Sequence, residues 1–157
     1  MKKVFLMLFA MALAFCGCKD DSYESAKYAG TYSGTFTILK QNFDENDNPT
    51  TTSTSTKTGK MIFSQNPINK ENLLWYGIEM LNTSSGVYET SSNSATSDLI
   101  TAAANLINIG DYTDKTIEKM RVKATFNGSA VEMKIYYTAT VLGIEMDVVI
   151  ATFNGTK

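Results

Sequence analysis

Apolar and polar residues alternate along the C-terminal part of the chain, as they do in β-strands with one buried face. Three segments carry the pattern, 120–126, 131–141 and 144–150. Asn127-Gly128 separates the first two, and this dipeptide favours a hairpin because a type I′ turn needs positive φ at both central residues. Leu142-Gly143 separates the second segment from the third. The sequence therefore predicts a three-stranded antiparallel meander.

Two-residue turns at these positions also predict the register of the meander. The first turn gives the pairs Ala124–Val131, Val122–Met133, Met120–Ile135 and Lys123–Glu132. The second turn gives the pairs Val141–Ile144, Ala139–Met146, Tyr137–Val148 and Ile135–Ile150. Both turns place the apolar partners on the same face, and a one-residue slip would turn all of them outward.

The rest of the pattern predicts a mainly β fold that closes on itself. Further strands are predicted at 28–39, 51–58, 59–64, 72–81 and 85–91. Gly30 and Gly34 lie on the inner face of the first of these, where glycine allows the bending that closure requires. A short amphipathic helix is predicted at 97–110, from a capping residue and apolar positions at helical spacing. The expected fold is an antiparallel eight-stranded barrel with one short α-helix.

The N-terminal segment has the layout of a signal peptide. Lys2 and Lys3 precede an uncharged apolar run at 4–16, which is too short to span a bilayer comfortably. The end of this run, FCGC at 15–18, resembles the bacterial lipobox, whose cysteine is lipidated and becomes the mature N-terminus. Cys18 fits this role better than Cys16, because the bulky Phe15 would occupy the position where the peptidase needs a small side chain.

This interpretation divides the chain into a signal peptide at 1–17, a lipidated tether at 18–27 and a folded domain at 28–157. Cys16 would leave with the signal, and the sulfur of Cys18 would be held in a thioether. Neither a disulfide nor a cysteine metal site is then expected. Loss of Lys2 and Lys3 changes the formal net charge from −2 to −4.

The composition excludes several classes of function. The chain has no histidine, which removes Ser-His-Asp triads, histidine zinc sites and histidine acid–base catalysis. No basic stripe is present, so nucleic acid is not an expected partner. The sequence also has no glycine-rich phosphate loop. We therefore expect a protein that is not an enzyme and that needs no cofactor.

Short motifs extend these expectations by resemblance. Lys19-Asp20-Asp21 resembles the surface-export signal of Bacteroidetes lipoproteins. The segments YAGTYSGTF at 28–36 and IATFNGTK at 150–157, together with the meander, resemble the calycin-like lipoproteins of Bacteroidetes. Gly30-Thr31-Tyr32 is similar to the Gly-x-Trp that opens the first strand of lipocalins, with tyrosine in place of tryptophan. The resemblance implies an outer-membrane lipoprotein that faces the cell exterior and holds a small apolar or amphiphilic ligand inside its barrel.

The inner face of the predicted strands supplies the candidate ligand site. Its members are apolar or aromatic, and its methionines can adapt to a ligand's shape: Tyr32, Phe36, Met120, Val122, Met133, Ile135, Tyr137, Met146 and Val148. A barrel of this size can also be filled by its own side chains. The protein would then be a non-catalytic interaction module that grips a glycan or a partner protein on its exterior, with Trp75, Tyr76 and Tyr136 as exterior aromatics.

Two acidic features favour ordinary surface structure. Residues 44–48 (DENDN) begin like a calcium loop, but Pro49 occupies the position that needs glycine and Ser55 the position that needs glutamate. A polar hairpin loop without metal is predicted there. Glu145 and Asp147 share the outward face of a strand, where a solvated surface is expected in place of a glycosidase pair.

Overall fold

The computed structural model of the chain describes residues 21–43, 49–92, 119–141 and 144–157. These residues form one short helix and eight strands, in the order α1 Glu24–Tyr28, β1 Gly30–Phe43, β2 Pro49–Gln65, β3 Leu73–Trp75, β4 Ile78–Ser84, β5 Val87–Ser92, β6 Met120–Asn127, β7 Ala130–Val141 and β8 Ile144–Thr156. The predicted helix at 97–110 and the predicted hairpin loop at 44–48 lie outside the described residues. The first four residues of α1 fall within the segment predicted as a tether, and its last residue, Tyr28, was predicted to begin the first strand.

The eight strands form a single antiparallel sheet that closes into a ring. Each strand pairs with the next one in the sequence, and β1 also pairs with β8. The prediction of a closed antiparallel sheet of eight strands is confirmed. Odd-numbered strands begin, and even-numbered strands end, at the side of the ring where α1 lies. We call this side the α1 end and the opposite side the far end.

The strand count was predicted correctly, but two of the divisions between strands were not, and the ends of several strands also differ. The segments 51–58 and 59–64 form one continuous strand, β2, because Gly59 stays in the ladder opposite Gly34. The segment 72–81 is divided into β3 and β4 by a tight turn at Tyr76-Gly77. Both turn residues have positive φ, 49° and 83°, as a type I′ hairpin requires. A tyrosine is uncommon in this region of backbone conformation, so the turn has no clear signal in the sequence.

The first hairpin of the meander differs from its predicted register by two positions. Asn127 pairs with Ala130, and the turn falls on Gly128 and Ser129. Ala124 consequently lies opposite Met133. Because the side-chain period of a strand is two, this shift leaves every inner residue on the inner face.

The shift changes the charged pairs on the outer face. Lys123 lies opposite Lys134 in place of the predicted Glu132. Each lysine has an acidic partner elsewhere: Lys123 Nζ is 3.1 Å from Glu89 on β5, and Lys134 Nζ is 3.0 Å from Glu132 on its own strand. Two adjacent lysines are therefore tolerated because carboxylates flank them on both sides.

The second hairpin has the predicted register until a β-bulge interrupts it. The pairs from Val141–Ile144 to Tyr137–Val148 are confirmed, but Ile135 pairs with Ala151 and not with the predicted Ile150. The additional residue on β8 breaks the alternation locally. As a result Ile150 and Ala151, although consecutive, are both buried, at 2% and 1% exposed.

Aromatic rings fill the interior at the α1 end. Phe126 is the centre of this cluster, and its ring stacks on Tyr28 at 4.8 Å between centroids. The same ring contacts three further aromatic residues at 5.1–5.7 Å: Tyr32, Phe63 and Tyr88. Tilted and edge-on arrangements of this kind are the favourable ones for aromatic pairs. The cluster joins α1 to β1, β2, β5 and β6, and it closes the interior at this end.

Three glycines lie side by side across the seam between β2, β1 and β8. Gly34 pairs with Gly59 on one side and with Gly155 on the other. The rings of Phe36 and Phe153 lie over this row, 4.6 Å apart, and occupy the space that side chains would take. A Cβ built on Gly34 would lie only 2.0 Å from the carbonyl oxygen of Asn154 on β8. The strands that close the ring can approach only because these side chains are absent.

Replacement of Gly34 by alanine is expected to destabilise the fold severely. The added methyl group would meet backbone on β8, which cannot rotate away, so we expect a loss of about 3 kcal/mol or more in the free energy of unfolding. Urea denaturation measures this loss. Ser33→Ala, at the neighbouring exposed position of β1, should change the stability by less than about 0.5 kcal/mol. Equal effects of the two variants would show that closure does not depend on the glycine row.

Candidate functional site

Most of the predicted ligand-site residues lie in a sealed part of the interior. Six of the nine are at most 2% exposed: Tyr32, Phe36, Met120, Val122, Met133 and Ile135. A side chain that borders a void large enough for water keeps some accessible surface. These six therefore pack against other side chains, in the way that small closed sheets fill their interiors.

The interior becomes accessible nearer to the far end. Tyr137 and Val148 face each other across β7 and β8, on the inner face of the sheet. Tyr137 is half-buried against the core, whereas Val148 is 37% exposed. Ile38 on β1, also inner by register, is half-buried as well. The side chain of Met146 lies outside the described residues. We call Ile38, Tyr137 and Val148 the far-end interior.

Ile38 was not among the predicted site residues, although a signal for it existed. The alternation of β1 places it on the same face as Tyr32 and Phe36, which precede it by six and two residues. What the alternation does not provide is the height of each residue in the ring. The separation between a sealed layer and an accessible layer therefore required the structure.

Trp75 is buried, so the expectation that it lies on the exterior is wrong. It faces Phe63 and Ile78 on the inner side of the sheet and is fully inaccessible. Its indole N–H points at the sulfur of Met61, 2.8 Å away. This contact gives the buried polar atom of the tryptophan a partner, as burial of indole requires.

The other two predicted exterior aromatics do lie on the surface. Tyr76 is 53% exposed, and its ring stands edge-on to Trp75 at 5.5 Å. Tyr136 is half-buried, and the guanidinium of Arg121 lies 4.6 Å from the centre of its ring. One face of Tyr136 is therefore already covered by a cation. Of these residues Tyr76 is the more open surface for a ligand.

Arg121 connects charged and polar groups across the outer face of β5 to β8. Its Nη2 donates to Asp147 at 2.6 Å, and its Nη1 lies 3.5 Å from Glu89. Asp147 also accepts a hydrogen bond from Thr138 Oγ1 at 3.0 Å. Asp147 is thus held by an arginine and a hydroxyl, an arrangement that stabilises the sheet. The side chain of Glu145 lies outside the described residues.

Burial raises the pKa of two tyrosines well above the ordinary value. The phenols of Tyr32 and Tyr88 are removed from water, and nearby Tyr28 adds to the effect at both. Tyr32 donates a hydrogen bond to the carbonyl of Tyr28 at 2.9 Å. At Glu24, a hydrogen bond from Ser85 lowers the pKa of the carboxyl group. These residues all lie at the α1 end and belong to its packing.

Of the residues predicted to form the lipid anchor and the export signal, the structure describes only one. Cys18, Lys19 and Asp20 lie outside the described residues, and Asp21 is exposed in a turn before α1. In the described ranges, no three acidic or cysteine side chains come together as a metal site would require. Nor does this part of the chain contain a helix long and apolar enough to cross a membrane.

Comparisons with protein-family models, with curated proteins and with solved structures give no match for this chain. A function is therefore argued from the residues and from the geometry of the sheet.

The raised pKa values of Tyr32 and Tyr88 lead us to expect a loss of stability at high pH. The unfolded chain releases tyrosine protons near pH 10, whereas the folded chain retains them, so the stability falls as the pH rises above about 10. Each buried tyrosine adds about 1.4 kcal/mol per pH unit to this slope. Tyr88→Phe loses only a 3.5 Å contact with Asn82, so it should lower the slope at little cost near neutral pH.

Urea denaturation at several pH values between 8 and 11 measures the slope. Tyr32→Phe should lower the slope similarly, but it should also cost about 1 kcal/mol at pH 7 because a hydrogen bond is lost. If the slope stays unchanged in both variants, the alkaline loss of stability has another origin.

Proposed function

We propose that this chain is a surface-anchored lipoprotein whose closed sheet binds a small apolar or amphiphilic molecule in the far-end interior. The observation that carries the proposal is the contrast between two layers of the interior. Residues toward the α1 end are sealed, whereas Val148 is 37% exposed although its register places it inside the ring. An inward-facing aliphatic side chain that water can reach is the kind of surface that an apolar ligand covers.

The depth of the sealed layer limits the ligand. Met120 and Ile135, which neighbour the far-end interior, are already packed, at 0% and 1% exposed. A bound molecule would therefore enter from the far end and contact Ile38, Tyr137 and Val148 before it reached the packed core. This favours an amphiphile that inserts an apolar end and keeps its polar end in water. The likeness of residues 28–36 and 150–157 to calycin-like proteins agrees with this mode of binding.

Anchoring is the second part of the proposal. The layout of residues 1–18 supports lipidation at Cys18, and Lys19, Asp20 and Asp21 support display on the outer surface of an outer membrane. A molecule from the surroundings would then reach the far-end interior directly. The protein would act as a carrier or sensor without chemistry of its own.

Introduction of a large side chain at Val148 tests the binding site. Val148→Trp should fill the far-end interior and weaken the uptake of a fluorescent fatty-acid probe by about tenfold or more, because the probe loses its apolar contact. Ile62→Trp is a matched control, since Ile62 is 46% exposed but lies on the outer face of β2. Binding is measured by titration of the purified mature protein.

An equal affinity for the probe in Val148→Trp and in the unsubstituted protein would contradict the proposed site. Native mass spectrometry of protein from its natural host, before and after solvent extraction, supplies an independent result. An extractable adduct of small-molecule mass supports the proposal and identifies the ligand, whereas a bare protein mass under all growth conditions contradicts it.

One observation favours a second candidate function on the exterior. Tyr76 occupies left-handed backbone at φ 49°, where glycine or asparagine would be less strained, and its ring is exposed. Ile62, also exposed, lies beside it at the end of the β2–β3 ladder. A glycan or a partner protein would bind to the surface formed by Tyr76 and Ile62. Tyr76→Asn should then abolish partner binding and stabilise the isolated domain, whereas Val148→Trp should have no effect on the partner.

Lipidation is tested separately from ligand binding. Cys18→Ser removes the only sulfur that could carry the lipid after removal of residues 1–17. We expect the variant to move from the membrane fraction to the soluble fraction in a cell lysate separated by ultracentrifugation. Persistence of the variant in the membrane fraction would contradict the anchor and leave the ligand site as a separate question.

A further inference from the structure

We propose that the α1 end of the closed sheet lies against the membrane, with the side chain of Ile68 inserted into the lipid interface. This inference rests on the proposed lipidation of Cys18, and it adds an orientation and a second membrane contact. The far-end interior would consequently point away from the bilayer. Three observations support it: the short reach from Cys18 to α1, the bonds between α1 and the loop at 66–72, and the exposure of Ile68.

The chain between the lipid and the folded domain is short. Seven residue steps separate Cys18 from Ser25, which is fully buried in α1. Whatever its conformation, such a segment spans at most about 25 Å. The α1 end must therefore remain within this distance of the bilayer surface, which is about the height of a small domain.

Helix α1 is bonded to the loop that carries Ile68. The hydroxyl of Ser25 donates to the backbone carbonyl of Lys70. Gln65, the last residue of β2, donates through its side-chain amide to the same carbonyl at 3.2 Å and to the Ser25 hydroxyl at 3.0 Å. The first folded residues after the anchor are thus joined to a point two residues from Ile68.

The loop at 66–72 is held rigidly by two buried asparagines. The side-chain oxygen of Asn66 accepts hydrogen bonds from the backbone N–H groups of Ile68 and Asn69, at 2.9 and 3.2 Å. The amide groups of Asn66 and Asn72 both donate to one carboxylate oxygen of Glu79, at 2.7 and 2.8 Å. These hydrogen bonds restrain the backbone of the loop at Ile68.

This arrangement places an aliphatic side chain almost entirely in water. Ile68 is 94% exposed, the highest value among the exposed large hydrophobic residues of the described chain. Tyr23, which directly precedes α1 at the same end, is 36% exposed. Transfer of an isoleucine out of water is favourable, and tyrosine is enriched at membrane interfaces. Because the anchor holds this end near the bilayer, the lipid interface is the occupant that fits both residues.

Site-directed spin labelling of the lipidated mature protein in phospholipid vesicles tests the orientation. A cysteine introduced as Ile68→Cys would be the only free thiol, since Cys18 is held in a thioether. Thr56→Cys is the matched control, because Thr56 is also exposed but lies nine residues before Gln65 on the same strand, toward the far end, and its pairing with Thr37 places it on the outer face. Collisions of each nitroxide with oxygen, which concentrates in lipid, and with a water-soluble nickel chelate are measured by power saturation.

The expected result is a ratio of oxygen to nickel collisions that is several-fold higher at position 68 than at position 56. Equal ratios in vesicle-bound protein would overturn the orientation while the lipid anchor stands. Broadening of the position-68 spectrum by a second nitroxide would show a second copy of the chain at Ile68, which also overturns the membrane contact. Protein that fails to sediment with the vesicles would overturn the anchor, and the orientation with it.

Discussion

The close approach of β1 and β8 is the constraint on which the structure depends. These strands are first and last in the sheet, so their pairing requires the longest chain closure and leaves the ring without a free edge between them. Gly34 and Gly155 face each other at this pairing, and a side chain on Gly34 would meet the backbone of β8. Phe36 and Phe153 cover the glycines from inside. The two backbones therefore lie close together, and the space beside them is filled by aromatic rings.

Closure creates an interior whose two ends are not equivalent. The α1 end is filled by the aromatic cluster around Phe126 and covered by α1 itself, which brings Tyr28 onto that ring. At the far end, no corresponding aromatic cluster is found among the described residues, and Val148 remains accessible. The asymmetry has a direct functional consequence. A molecule could enter the ring from the far end without unpacking the core, whereas entry from the α1 end would require Tyr28 and Phe126 to separate.

Much of this architecture could be predicted from the sequence, because the alternation of apolar and polar residues indicates which face of the sheet each side chain occupies. The inner face of the meander was predicted correctly even though the first hairpin is shifted, since a shift of two positions preserves every face. The details that failed depend on single backbone conformations. Tyr76 accepts a positive φ that tyrosine seldom adopts, and the bulge at Ile150 inserts a residue without any glycine or proline to mark it. The burial of Trp75 follows from that turn, because the boundary of β3 decides which face it takes.

The candidate site was harder to predict than the fold, for a related reason. All nine inner-face residues look alike in the sequence, yet their exposure depends on how bulky the rings are at each level and on what covers each end. Helix α1 shows the same difficulty: residues 24–27 look like a polar tether in the sequence, but Ser25 is buried by partners 40 and 45 positions away. Because of these hydrogen bonds to residues far along the chain, α1 belongs to the folded domain and not to the linker. A lipid at Cys18 would therefore be attached close to the sealed end of the ring, and the accessible end would be the one that the anchor leaves free.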